Sequence, residues 1–210
     1  MKVSLPQLLA KLEPIEIEQF LDGDVENSVL QYADAINYSA TSLDISSTKI
    51  EHSQFTTAQF ERCNARDFMV TKTDLSAANL SNGTFNRTEF TDCRMSGLDF
   101  SRTSLHDVIF RGCKLDMANL RFSDLRRVRF IDCTLQETDF LNARLVDVTF
   151  EASTLEKTIF ERASCKKVDF RTSELIEIIG WKYLKDATID AVQLARIAPY
   201  LARELGITVS

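Results

Sequence analysis

The residues best able to do chemistry are five cysteines, Cys63, Cys93, Cys113, Cys133 and Cys165, and two histidines, His52 and His106. Thiolate and imidazole are the donors of zinc sites, and a thiol beside a base is half of a nucleophilic pair. Three of the cysteines stand twenty residues apart, at 93, 113 and 133, which invites a metal or redox reading. The same interval has a plainer source. Val108-Phe110, Val128-Phe130, Val148-Phe150 and Val168-Phe170 also recur at twenty, so the cysteines share a slot that elsewhere holds another small residue. Side chains stacked in register point in parallel, a poor geometry for a disulfide, and neither histidine falls in an inward slot beside them. The cysteines read as small buried hydrophobes. Ser, Thr and Asp are plentiful, yet no His, Lys or thiolate is placed to activate one of them. No catalytic residue, metal ligand or cofactor is expected.

The slot exists because the chain repeats every five residues. From Phe85 through Phe90, Met95, Phe100, Leu105 and Phe110 to Leu175, each fifth residue is large and apolar, apart from Cys165. Two places before each stands, with few exceptions, a small or β-branched residue such as Thr88, Cys93, Ala118, Ser123 or Val148. A period of five fits neither a helix nor a strand, so this is a repeat architecture. The second period of twenty makes four pentapeptides one turn, a square coil whose like residues stack at the interstrand spacing of about 4.8 Å. The register is unbroken from 45 to 175, and no loop insertion is expected on the body of the coil. Ala35 and Ala40 are small where the axis asks for a large residue, and Phe68-Val70 exchanges volume between the two inward positions.

Three segments follow: an N-terminal cap over 1–27, the coil over 28–180, and a C-terminal helical cap over 181–210. Pro6 can open a short helix that runs to Leu12 and stops before Pro14, and Ile15-Glu16-Ile17 alternates like a strand. A cover is required there, because an open coil end exposes unpaired backbone. Beyond Leu175, the apolar run Ile176, Ile178, Ile179 and Trp181 is expected to cover the last coil, with a short β segment over Leu184 to Ile189. Asp190 and Gln193 have capping-box spacing. Leu194, Ile197, Ala198, Leu201 and Leu205 then fall on one helical face, Pro199 predicts a break into 190–198 and 199–205, and Ile207-Thr208-Val209 reads as a terminal strand.

The unbroken register sorts solvent-facing residues by face. The face of Leu75, Met95, Leu115, Leu135, Leu155 and Leu175 carries Asp74, Asp116, Glu137, Glu156, Glu174 and Glu177 against Arg94, Lys114 and Lys157, and is the acidic side. Two faces round, that of Phe85, Leu105, Leu125, Leu145 and Cys165 carries Arg66, Arg87, Arg126, Arg127, Arg144, Lys166 and Lys167 against Asp67, Asp107, Asp124 and Asp147, and is mildly basic. The face of Leu120, Phe140 and Phe160 turns Phe122, Leu141 and Ile159 outward, an apolar patch. A net charge of −6 argues against general affinity for nucleic acid. The start of the chain offers too short an apolar run for a signal peptide or a membrane span, so residence in the cytoplasm is expected.

The segments Asp116-Met117-Ala118-Asn119-Leu120 and Ser76-Ala77-Ala78-Asn79-Leu80 carry a small residue, a polar one and Leu in the order that the pentapeptide-repeat family uses. The resemblance implies an all-β solenoid, the right-handed quadrilateral β-helix. The ending Leu184…Gln193-Leu194…Leu201-Ala202-Arg203-Glu204-Leu205-Gly206-Ile207 is similar to that of the Qnr/MfpA-type quinolone-resistance proteins within it. Those dimerise through this segment and bind DNA gyrase or topoisomerase IV as protein mimics of duplex DNA. By that resemblance Leu194, Ile197, Leu201 and Leu205 would serve the homodimer or the cap. The acidic face would meet a type II topoisomerase and protect it from fluoroquinolones. The alternative is a general protein-interaction scaffold whose apolar patch docks another partner.

Overall fold

The computed structural model describes residues 2–204 and 206–208. A short strand β1 (Glu13–Pro14) and helix α1 (Ile17–Leu21) precede the coil, which is laid down as β2 (Asp24–Glu26), β3 (Ser28–Gln31), β4 (Asp44–Glu51), β5 (Asn64–Thr71), β6 (Thr84–Thr91), β7 (Ser104–Arg111), β8 (Asp124–Ile131), β9 (Arg144–Glu151), β10 (Thr154–Glu156), β11 (Ser164–Asp169) and β12 (Glu174–Ile176). A 3-10 turn at Trp181–Tyr183 and helix α2 (Ala191–Glu204) close the chain. Every coil strand pairs in parallel with the residue twenty further on: Phe90 with Phe110, Phe110 with Phe130, Phe130 with Phe150. The eight-residue strands bend over two faces, here the first (axial Ile45, Phe85, Leu105) and second (axial Ile50, Phe90, Phe110). The third and fourth faces are held mainly by single bridges such as Gln54–Asp74 and Gln59–Asn79. The result is a parallel solenoid of about eight turns, in which β1 pairs with β3 and β2 with β4.

Corners fix the square section. The residue two places after each axial one is left-handed, as at Ser47 (φ 46°), His52 (51°), Thr57 (59°) and Arg62 (59°). For residues other than glycine this costs about 1 kcal/mol each. It persists because the corner N–H then reaches the carbonyl of the next coil, Thr57 to Ser76 and Arg62 to Ser81, both at 2.9 Å.

The axis is close-packed. The rings of Phe90, Phe110, Phe130, Phe150 and Phe170 form one column, with successive centroids 4.9–5.1 Å apart and planes within 8°. Phe140 and Phe160 stack likewise at 5.0 Å on the fourth face and meet that column edge-on. Offset and edge-to-face contacts are the ones ring quadrupoles favour.

The ends differ from the sequence reading in instructive ways. Residues 2–12 form no helix. They run along the outside of the coil, and the end is covered instead by α1, which starts at Ile17 where a strand was expected. Phe20 of α1 reaches the axis, 5.9 Å from Phe55 and 6.2 Å from Phe60, filling the space that Ala35 and Ala40 leave. At the other end Ile178 is buried, whereas Ile176 and Ile179 stay partly in water. The stretch after Leu184 contributes a single bridge, Asp169–Thr188. Helix α2 passes through Pro199 without breaking, because the Ala195 carbonyl that loses its partner lies on the exposed side. Gly206–Thr208 is not a strand, and Val209 lies outside the described residues.

Candidate functional site

Cys93, Cys113 and Cys133 are buried, and each thiol donates to the carbonyl of the axial residue twenty-three places earlier, Val70, Phe90 and Phe110, at 3.5, 3.3 and 3.5 Å. Ser153 and Ser173 continue the row to Phe130 and Phe150. The cysteines are therefore rungs of a hydrogen-bond ladder. Burial pushes Cys63 up to about 12 and Cys165 up to about 11, and the Cys113 thiol, stacked between those of Cys133 and Cys93 and buried, is raised as well. The raised thiols of Cys63, Cys113 and Cys165 are poor nucleophiles and poor metal ligands. Among the described residues no three of His, Cys, Asp or Glu converge as a metal would need.

The third face is the acidic one. Asp74 lies 3.9 Å from Arg94, and Asp116 lies 3.5 Å from Lys114. Among the described residues Glu137, Glu156, Glu174 and Glu177 form no ion pair, so the negative charge gathers over the last coils. Strands β10 and β12 hold Glu156 and Glu174 there in register, Leu155 against Leu175. Lys157 stands on the corner between Glu137 and Glu177, one coil from each.

On the fourth face only Phe122 of the expected apolar patch is largely exposed, at 52%, with the Arg102 guanidinium 5.7 Å from its ring. Leu141 and Ile159 are half-buried, Ile159 bridging to Ile179 in the next coil. On α2, Leu194 is exposed and Leu201 half-buried, while Ile197 is 1% exposed and belongs to the cap of its own chain. Leu205 lies outside the described residues.

The helix is turned from the expected face because Gln193 takes the inward place beside Ile197. Its side-chain amide donates to the carbonyls of Phe170 at 2.6 Å and Ser173 at 2.7 Å, and its Oε1 accepts from the Asp190 N–H at 2.8 Å. Asp190 returns the bond to the Gln193 N–H at 2.8 Å, completing the capping box. Gln193 stands twenty-three residues after Phe170, so it is the last rung of the cysteine and serine ladder.

A family profile described as "Pentapeptide repeat region" matches residues 71–130 and 103–178. The chain belongs to the pentapeptide-repeat family. Among solved structures, trypsin-treated QnrB1, a plasmid-mediated fluoroquinolone resistance protein, is similar at 24% identity over 94% of this chain and 96% of that one, with a TM-score of 0.53. HetL, a pentapeptide repeat protein involved in heterocyst differentiation regulation from the cyanobacterium Nostoc sp. strain PCC 7120, is similar at 18% identity over 79% and 86%, with a TM-score of 0.38. No curated protein sequence matches the chain.

In this pentapeptide-repeat protein the expected basic face is largely neutralised. Down the corner between the first and second faces run Asp67, Arg87, Asp107, Arg127, Asp147 and Lys167, alternating in sign at every coil. Arg87 pairs with Asp67, Arg127 chelates Asp107 with two bonds of 2.8 Å, and Lys167 lies 3.7 Å from Asp147. The Arg127 bond holds the Asp107 carboxyl below the usual range. Burial raises the Asp67 carboxyl, but the Arg87 bond, the Gln7 N–H and the charges of Arg87 and Arg66 together bring it below its ordinary value. The alternation is visible in the sequence at intervals of twenty, but only as charge. The structure adds that residues 4 and 7 are seated on it.

Proposed function

We propose that this chain is a non-catalytic binding rod that presents the carboxylates of its third face to the basic DNA-binding surface of a type II topoisomerase, DNA gyrase or topoisomerase IV. The observation that carries the reading is the group of unpaired carboxylates, Glu137, Glu156, Glu174 and Glu177, on a backbone that hydrogen bonds lock coil to coil. Fixed charges of one sign on a rigid rod steer a basic partner without reorganisation on contact. The C-terminal likeness to Qnr/MfpA-type proteins supports the choice of enzyme, and QnrB1 is itself described as a fluoroquinolone resistance protein. Protection of the enzyme from the drug is the consequence. Exposed Leu194 and Val192 on the outer side of α2 supply the contact for the homodimer that this likeness implies. No helix among the described residues is long and apolar enough to cross a membrane. We place the encounter in the cytoplasm, with no direct contact to nucleic acid.

Supercoiling by purified gyrase, with and without a fluoroquinolone, tests the reading. The wild-type protein is expected to restore supercoiling in the presence of drug, and the quadruple variant Glu137→Gln, Glu156→Gln, Glu174→Gln, Glu177→Gln to lose that effect. Neither inhibition nor rescue at micromolar protein would sink it. Phe122→Asp is included because Phe122 is the large exposed side chain of the fourth face. If it, and not the quadruple variant, abolishes the effect, the apolar corner is the docking surface and the scaffold reading replaces the mimic.

A further inference from the structure

The N-terminal segment does not lie where a cap would. The Ser4 N–H donates to Asp107 Oδ1 at 3.2 Å and the Gln7 N–H to Asp67 Oδ1 at 2.9 Å. Both acceptors belong to the alternating corner and stand two coils apart, a separation of about 9.6 Å. Three residues of extended chain cover about 10 Å. An extended backbone laid along this corner therefore meets a carboxylate with every third N–H. The acceptors are aimed in advance, since Arg87 and Arg127 fix Asp67 and Asp107 from the neighbouring coils. Asp147 continues the row at the same interval, with Lys167 3.7 Å away.

The seated segment does not bring this conformation with it. Leu5, Leu8, Leu9 and Leu12 fall at the i, i+3, i+4, i+7 spacing of one helical face, and Pro6 suits a first helical turn. Yet residues 2–12 are not helical, and Leu5 and Leu9 are each 57% exposed. Val3, Pro6, Leu8 and Leu12 are half-buried, and the amide contacts to the corner fix where the segment lies.

We propose that the corner between the first and second faces is a binding site for an extended peptide, that residues 4–7 are its resident occupant, and that another extended segment displaces them. Recognition runs through backbone N–H groups, so it tolerates many side chains but excludes proline at either contact position. The partner class is an extended, unpaired stretch of protein chain. The proposal stands independently of the acidic third face.

The probe is a synthetic peptide of residues 2–12, titrated into the full-length protein labelled with nitrogen-15. Saturating peptide is expected to move the Ser4 and Gln7 amide resonances toward their positions in the free peptide and to perturb Asp67 and Asp107. Residues of the third face should not move. The full-length variant Ser4→Pro, Gln7→Pro removes the resident donors and leaves the corner untouched, so it should bind the same peptide at least about tenfold more tightly, the occupancy penalty having been removed. The same peptide carrying N-methyl groups at Ser4 and Gln7 should bind neither protein. Equal affinity of the two proteins, equal affinity of the methylated peptide, or no binding to either protein would overturn the proposal.

Discussion

Gly83 occupies an inward slot that holds Cys63, Thr103, Ser123 and Ala143 in the same column. Its neighbours leave no room for a side chain: a Cβ there would lie 2.5 Å from the Cys63 carbonyl oxygen and 3.2 Å from the Phe85 ring. The obstruction is backbone, which cannot rotate away. Gly83→Ala is expected to lower stability by about 1–3 kcal/mol, the usual cost of overpacking, read as a shift in the urea midpoint. Gly97 is the control. It sits at a left-handed corner (φ 68°), but a Cβ there meets nothing closer than 4.0 Å, and Ala77 already occupies the equivalent corner one coil earlier. Gly97→Ala is expected to stay within about 1 kcal/mol, the corner strain being partly offset by a less flexible unfolded chain. Equal effects of the two changes would contradict the packing described.

Helix α2 and the last coil are joined through one side chain. Gln193 gives the Ser173 carbonyl its side-chain donor, gives the Phe170 carbonyl a second donor beside the Ser173 N–H, and also caps its own helix. Gln193→Leu keeps the volume roughly constant and removes all three bonds. The Ser173 carbonyl loses its side-chain donor while the Phe170 carbonyl keeps the Ser173 N–H, so a loss of about 1–3 kcal/mol is expected. Because each coil touches only its neighbours, the loss should be local. Hydrogen exchange is expected to accelerate in α2, β12 and the Phe170 turn, while the middle strands β6 to β8 keep their protection. Uniform acceleration along the rod would show the end to be less separable than this.

The molecule as a whole owes its acid sensitivity to bonded carboxylates. Arg127, Arg126, Arg129 and Arg171 hold Asp107, Asp124, Glu151 and Asp169 below the ordinary carboxylate range. A carboxyl depressed in the fold contributes stability that is present above its unfolded value and lost as pH falls toward the folded one. Burial holds His106 neutral against the pull of Asp124, so protonation of the unfolded chain costs stability on the same side of neutrality. The urea midpoint should fall gently below about pH 6.5 and steeply below about pH 4. His106→Gln should remove the first arm, and Asp107→Asn should flatten part of the second. The rod's charge also bears on mimicry. Eight coils span about 34 Å from first to last, a length over which duplex DNA carries on the order of 20 charges. From Asp34 to Glu177 the third face has seven carboxylates and three cations, so it matches DNA in girth and shape more than in charge density.

The five-residue period and its twenty-residue harmonic determined the coil without reference to any contact. Apolar residues that recur at a fixed interval can be buried together only by winding, and the position of every axial Phe and Leu follows from counting. The capping box at Asp190 and Gln193 was legible for the same reason, being local in sequence. What the tertiary structure decided lies at the ends and on the corners, where the repeat lapses. Pro6 and Pro14 suggested a short helix to Leu12, but the segment is not helical and two carboxylates from coils far along the chain hold it on the corner. Leu194 had the right spacing for burial, yet the Phe170 and Ser173 carbonyls at the end of the coil draw Gln193 inward and turn α2 about its axis. The sequence set Arg87 and Arg127 on one mildly basic face with Asp67 and Asp107, and the stacking of coils pairs each arginine with one of those aspartates. Periodicity specifies a repeating backbone because each rung solves the same local problem. Where a unique end meets that backbone, partners distant in sequence compete for the same groups, and only their positions in space settle which of them prevails.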